Sequence, residues 1–496
     1  MRFLDRLSPQ GQFAAIVVAY CALHLALRLI LSPVLGTDDV EQAICTQSLA
    51  LGCDLRQPPL YTWLQWLTNQ FVGTGLFGLF LFKYGLLALL YWLLYRIGLR
   101  LFAEPATAGI AALSLWLTYP FAVSVHQGVT HSLLLSVWLA ASFLTALHLA
   151  ERRSLGGYAL LGLLLGLGLL AKYSFALYAV ALALAALSLP RYRALVLDIR
   201  LLLTALVVIS VVAPHGLWAW ERLDAMQGAL GGIGQHNAPA SYGPRIASGL
   251  TSLASALVQF LFPFWLIVLV FYPRAFRPLK APLPDALRLA GRSIAISIGL
   301  LALVVLLGGP VEIKPRWMHV VLLLTPLYLF GRIEAVGYRP VARRGYVAVL
   351  SLLPLLVIAA WLGQTYLAPK FGQTTRFHAP YDRLAQQLHG AGFEGGTIVA
   401  DGLHLAGNLR LFFPDARVLT PAYAQFLPPA RQSGPCLLVW EDRAGAGVPA
   451  ALQAYLAGHG KPAADGTPAY ARANYRYSAT ATMTLGYLPL PAERCP

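Results

Sequence analysis

The chain has 496 residues, of which 58% are hydrophobic and only 12% charged, with a mean hydropathy of +0.63. One soluble core cannot hide that much apolar surface, so an ordinary soluble globular protein is excluded. The formal net charge of +16 does not mark a nucleic-acid partner, because the basic residues gather at alternate ends of apolar runs.

Apolar stretches long enough to cross roughly 30 Å of hydrocarbon begin near Phe13 and recur to about Tyr366. About eleven spans are expected, at 13–35, 76–95, 106–125, 132–150, 156–171, 174–189, 200–217, 250–271, 292–309, 318–331 and 346–366. Arg2 and Arg6, Arg96 and Arg100, Arg152 and Arg153, Arg191 to Arg200, Arg274 to Arg292, and Arg332 to Arg344 fall in alternate connections, which assigns those to the cytoplasm. The start lacks a signal-peptide cleavage pattern, so residues 13–35 read as a retained span. The intervening loops then face the periplasm across a cell inner membrane. Two of them are long, 36–75 and 218–249, and long loops are where binding and catalytic groups gather. Trp218 and Trp220 read most simply as interface anchors.

After Tyr366 the pattern changes. Helical periodicity alternates with short β runs, TIVAD, ARVLT and CLLVW, so residues 367–496 are expected to form a small periplasmic α/β domain beside a transmembrane domain of 1–366. Its sheet should be partly parallel, with antiparallel strands in YRYSATATMTLGYLPL. GAGFEGG there lacks the following helix of a phosphate-cradling loop. Four cysteines fall outside the membrane by this topology, and pairing Cys45 with Cys53 and Cys436 with Cys495 is the simplest arrangement, free thiols being the alternative.

The scarce carboxylates concentrate just past the first span, in GTDDVEQAICTQSLALGCDLRQPPLYTWLQW. If a helix starts there, Asp38 and Glu41 share a face and Asp39 points elsewhere. Asp38 and Glu41 also fit a capping box, and a carboxylate at this depth could serve as a general base. Asp54 and Arg56 precede a Pro-Pro pair suited to opening a helix, with Tyr61, Trp63 and Trp66 at interfacial spacing. Lys172 interrupts an apolar run, which is costly unless it faces a cavity, a partner or the interface. Lys314 and Arg316 sit in a short outer loop against the topological charge bias, and suit phosphate binding. Arg28 and Lys83 either face substrate or pair with a loop carboxylate. His126 and His131 are five apart, off the spacing of a helical metal-binding pair, so no metal or other cofactor is expected.

The acidic pair, the PPL segment about twenty residues later, AKYSF and KPRWM together resemble the GT-C membrane glycosyltransferases of family 39, over about residues 10–330. That group includes protein O-mannosyltransferases and the aminoarabinose transferases that modify lipid A. The resemblance implies a GT-C fold and transfer of a sugar from a polyprenyl-phosphate carrier to a lipid, glycan or protein acceptor at the outer face, usually with inversion. Asp38 matches the family's first acidic residue and Asp39 its partner, the expected catalytic pair. Pro58, Pro59 and Leu60 match the H/K-P-P-L segment, with Gln57 replacing the basic residue and Arg56 beside it able to substitute. Arg56, Lys172, Lys314 and Arg316 are the expected phosphate ligands, and Glu41, Pro58, Tyr61, Lys83, His126, His131 and Tyr173 the expected substrate contacts. Relatives carry an acid where HQGVTHSLL has Ser132. A lipid-linked-sugar flippase or transporter is the rival class, and a channel open to the cytoplasm would favour it.

Overall fold

A computed structural model describes residues 7–430, 433–442, 445 and 447–496; Arg2 and Arg6 of the topological argument lie outside them. Among the described residues, seven helices are long and apolar enough to cross a membrane: Pro9–Leu31 (α1), Leu76–Leu101, His131–Glu151, Leu201–Trp220, Asp285–Leu306, His319–Val336 and Pro340–Tyr366. Pro105–Leu117, Leu155–Ala171 and Phe175–Leu187 are shorter apolar helices. The expected stretches at 106–125 and 250–271 are not continuous helices. Pro120 and Pro263 each lack an N–H and break them. The two breaks face each other, with the Tyr119 N–H donating to the Phe262 carbonyl at 2.9 Å, so backbone outside the helices is satisfied from one break to the other.

α1 opens with Ser8, whose hydroxyl accepts from the Gly11 N–H at 3.2 Å, and with Pro9 in the first turn. After a short extended link, α2 (Thr37–Cys45) carries the acidic residues. The capping box with Asp38 as N-cap does not form. Gly36 holds that position without a side-chain bond, because a Cβ there would stand 2.0 Å from the Gln127 carbonyl oxygen. α3 (Leu60–Val72) follows the Pro58–Pro59 pair, as the sequence suggests, and α4 (Leu76–Leu101) returns through the body.

Residues beyond Tyr366 surround one five-stranded sheet built from β1 (Thr397–Ala400), β2 (Arg417–Leu419), β3 (Cys436–Glu441), β4 (Ala469–Asn474) and β5 (Thr482–Leu490), in the order β2-β1-β3-β5-β4. β1 pairs parallel with both neighbours, while β5 runs antiparallel to β3 and β4. The YRYSATA stretch is mostly the turn before β5, and the last antiparallel partner begins earlier, at Ala469. Both disulfides form as paired above, leaving Cys21 free and buried.

The first long loop belongs to this unit's core as much as to the membrane body. Val34, Ile44, Cys45 and Cys53 pack in one apolar cluster with Leu384, Ile398, Leu405 and Leu437. Directional bonds fix the register: the Leu35 N–H to Asn408 Oδ1 at 2.9 Å, Gln47 Nε2 to the Val418 carbonyl at 2.8 Å, and Gln425 Nε2 to the Cys53 carbonyl at 2.7 Å.

Candidate active site

A cavity of about 1020 Å³ opens where the start of α2, the 54–57 loop, the 172–177 turn, the 229–236 loop and the 310–318 loop converge with the C-terminal unit. Asp38, Glu41, Arg56, Lys172, Tyr173, Lys314 and Arg316 all line it, so seven of the expected residues come together although they span 278 positions of the chain (316 − 38). One part of its wall is apolar, with Leu177, Ile233, Leu301 and Val320.

One turn of α2 explains how neighbouring acids take different tasks. Asp38 and Glu41, three apart, face the cavity. Asp39 points into the protein and pairs with the Lys83 ammonium, which reaches it from α4. Side-chain exposures of 2% and 1% make this a fully buried ion pair. Asp39 and Lys83, expected as catalytic and substrate-contacting, are paired with each other and are not among the residues lining the cavity. An unpaired carboxylate at that depth would be strongly penalised, which is why the two occur together.

Asp38 Oδ1 lies 3.8 Å from Arg316 Nη1, a loose pair with 27% and 45% of the side chains exposed. Burial raises the Asp38 pKa and the nearby Glu41 adds to the rise, while Arg316, Lys172 and His131 oppose it. Lys172 donates to Ser132 Oγ at 2.7 Å, so the serine supports the ammonium. Burial lowers the Lys172 pKa to about 8 despite the opposing pull of Asp38. Arg56 is held by Asp54 at 3.2 Å and Lys314 by Glu312 at 3.7 Å. These partners keep the cations in place and leave guanidinium and ammonium surface facing the cavity.

Behind this wall, His131 Nε2 stands 3.0 Å from Glu41 Oε1 and 3.2 Å from Gln42 Nε2, while its Nδ1 faces the Ala171 carbonyl at 3.2 Å. Pro58 lines a small adjoining hollow with His131, Glu41 and Gln57. Tyr173 Oη donates to His215 Nε2 at 2.9 Å, and His215 Nδ1–H donates to the Leu51 carbonyl at 2.7 Å. Trp218 covers Gly52, where a Cβ would approach it to 2.4 Å, so this tryptophan braces the disulfide loop while Trp220 is exposed.

Of the expected substrate contacts, only Glu41 and Tyr173 line the cavity; Pro58, His131 and Lys83 stand behind it, and Tyr61 and His126 lie deeper still. Tyr61 is buried between Phe82 and His131, at ring separations of 5.1 and 5.6 Å. His126 lies between the Tyr20 and Tyr84 hydroxyls, at 3.0 and 3.1 Å, and stacks on His24. Arg28 bonds the Ser32 and Val34 carbonyls rather than a carboxylate. Asp54, Glu312, Trp317 and Tyr423 are lining residues that sequence reasoning did not select. Asp54 stood within the quoted segment, whereas Tyr423 arrives from the distant C-terminal unit and carries no local signal. Its hydroxyl is buried and lacks a hydrogen-bond partner among the described residues. No group of three or more His, Cys, Asp or Glu side chains with metal-holding geometry occurs among the described residues.

Membrane helices bearing an acid-and-cation cavity, closed on one side by a small α/β unit, define the GT-C class of membrane glycosyltransferase. Residues 56–218 match the family described as dolichyl-phosphate-mannose-protein mannosyltransferase. The lipopolysaccharide core galacturonosyltransferase RgtB of Rhizobium johnstonii is 33% identical over 430 residues, covering 86% of either chain. RgtA of the same strain, with the same described activity, is 30% identical over 447 residues, again 86% of each. In fold, the chain is similar to ArnT of Cupriavidus metallidurans bound to undecaprenyl phosphate, with a TM-score of 0.60, 12% identity and coverage of 95% and 97%; the apo form gives 0.60, 13%, 97% and 98%. This chain belongs to the family of GT-C membrane glycosyltransferases that includes the two galacturonosyltransferases, and it is a multi-pass membrane enzyme.

Proposed function

We propose that the protein moves a sugar from a polyprenyl-phosphate carrier to a glycan or lipid acceptor at the periplasmic face of the inner membrane, with residues 367–496 also on that side. The relatives' described activity points to galacturonate as the sugar and lipopolysaccharide core as the acceptor. The observation that carries the reading is the single cavity joining Asp38 to Lys172 and Arg316, with an apolar side suited to a prenyl chain.

In this reading the acceptor oxygen attacks the anomeric carbon from the face opposite the phosphate. The new C–O bond forms as the bond to the carrier phosphate breaks, the electron pair leaves on the phosphate oxygen, and the anomeric centre inverts. Asp38 accepts the proton of an attacking hydroxyl, and its raised pKa improves its strength as a base. For an acceptor oxygen that is already ionised, Asp38 orients it instead. Lys172 and Arg316, with Arg56 and Lys314, stabilise the growing charge on the phosphate.

Against a flippase, the candidate charges cluster in one cavity together with an acid placed for proton transfer, rather than in paired repeats about a midplane site. The test is transfer of radiolabelled galacturonate from its polyprenyl phosphate to lipopolysaccharide in proteoliposomes, comparing wild type with Asp38→Asn, with and without a chelator. Labelled product from wild type, reduced at least about a hundredfold in a folded Asp38→Asn protein and insensitive to the chelator, is the expected result. Lipid-linked sugar crossing the bilayer with no product would establish the flippase in its place.

A further inference from the structure

A second cavity, of about 450 Å³, lies in the C-terminal unit, separate from the donor cavity but sharing the Leu403 wall with it. Its position follows from the sheet. The chain leaves β1 toward β2 on one side, then crosses to β3 on the other, so the carboxyl ends of β1 and β3 part around a crevice, the usual ligand position in open α/β sheets. Asp401 immediately follows β1 and Glu441 ends β3, which delivers two carboxylates to that crevice from strands bonded side by side.

The other walls give the cavity its character. Tyr381 and Tyr475 offer ring surface, Leu405 and Met483 an apolar floor, and His404 is bonded to the Tyr381 hydroxyl at 3.2 Å. Burial and the nearby Arg376 lower the His404 pKa, favouring a neutral imidazole. Asp401 and Glu441 bring two carboxylates to its walls and Arg376 one guanidinium. Carboxylates paired beside aromatic faces suit a polyhydroxylated ring: hydroxyl hydrogens go to the acids, and the C–H face lies on the tyrosines. Arg376 at the rim bonds Thr37 Oγ1, next to Asp38, so an occupant of this cavity sits one side chain from the reacting end of the first.

We infer that this crevice is a glycan subsite, holding a sugar residue of the acceptor through its hydroxyls on Asp401 and Glu441 while a neighbouring residue reaches past Leu403 to Asp38. The inference rests on the glycosyl-transfer reading above and adds the acceptor's seat.

The test uses the full chain in lipid nanodiscs and, as probe, deacylated core oligosaccharide from Rhizobium johnstonii lipopolysaccharide. Titration calorimetry should show the wild type binding it and Asp401→Asn/Glu441→Gln binding at least about tenfold more weakly, with affinity for undecaprenyl phosphate unchanged. In the transfer assay the same variant should raise the acceptor KM by a similar factor and leave the donor KM in place. Both substitutions are isosteric; should the pair lower the thermal unfolding midpoint, each single variant is titrated instead. A wild type that does not bind the oligosaccharide, or variants that bind as tightly as wild type, overturns the subsite. Failure of the wild type to transfer sugar, with oligosaccharide binding still lost in the variants, overturns the transfer reading and leaves the subsite standing.

Discussion

Raising the pH should weaken use of the lipid-phosphate donor through one residue, Lys172. Its ammonium rests on Ser132 inside the cavity, and burial brings its pKa down to about 8. The sign follows directly. Below that value the free enzyme carries the cation and donor capture is at its plateau; as pH rises through it, the charge is lost and capture falls. At one pH unit above the pKa, about a tenth of the free enzyme retains the ammonium, so kcat/KM for the donor should drop about tenfold, equivalent to about 1.4 kcal/mol. The bound phosphate stabilises the ammonium, so kcat at saturating donor should not break at the same pH. The assay is the initial rate of radiolabelled transfer at low donor and saturating acceptor across neutral to alkaline pH. Lys172→Arg keeps its charge throughout this range and should extend the plateau. An identical break in Lys172→Arg, or none in wild type, would refute the assignment of this cation to the phosphate.

Other predictions address the scaffold and the base. Lys83→Met strands the Asp39 carboxylate at a buried site, with an expected cost of about 3–5 kcal/mol read as a lowered unfolding midpoint in detergent. Adding Asp39→Asn should recover part of the loss, and purely additive effects would argue against the pair. Because burial and Glu41 raise the Asp38 pKa, kcat/KM should fall as the pH is lowered through a value above the ordinary 3.8 of an aspartate; a limb at or below it would contradict that environment. Replacing Cys45 and Cys53 together by serine opens a cross-link between residues eight apart. The expected loss is about 2.5 kcal/mol by loop-closure entropy, with a raised donor KM as Asp54 and Arg56 lose their support; an unchanged unfolding midpoint would show that the loop is held by packing alone.

Much of this was legible because membrane insertion writes its requirements locally. A charge inside or beside an apolar run needs a reason to be there, which singled out Asp38, Lys172, Lys314 and Arg316, and all four line one cavity. The helical offset of three separates Asp38 and Glu41 from Asp39 by sequence spacing alone. What local pattern leaves open is the partner of a buried charge: Lys83 meets Asp39 across 44 positions, and only tertiary packing turns two candidate site residues into a structural pair. His126 and Tyr61 failed as cavity contacts for the same reason, since a polar tip on an apolar element is satisfied as well by a buried hydroxyl or ring as by a ligand. The uniform hydropathy at 106–125 and 250–271 likewise concealed two proline breaks joined by a backbone bond across the bundle.

The fit of the C-terminal unit against α2 bears on how such an enzyme could be taken apart or recombined. Gly407 lies so close to Val40 that a Cβ would come within 2.5 Å of the valine Cβ, and the loop on either side of α2 is bonded into the sheet unit. The helix bearing Asp38 is therefore shared property of both halves of the chain. Ending the protein at Tyr366 would strip one wall from that helix and unseat the carboxylate with it, and a chimera that borrowed a relative's C-terminal unit would have to borrow residues 32–56 as well to keep its chemistry aligned.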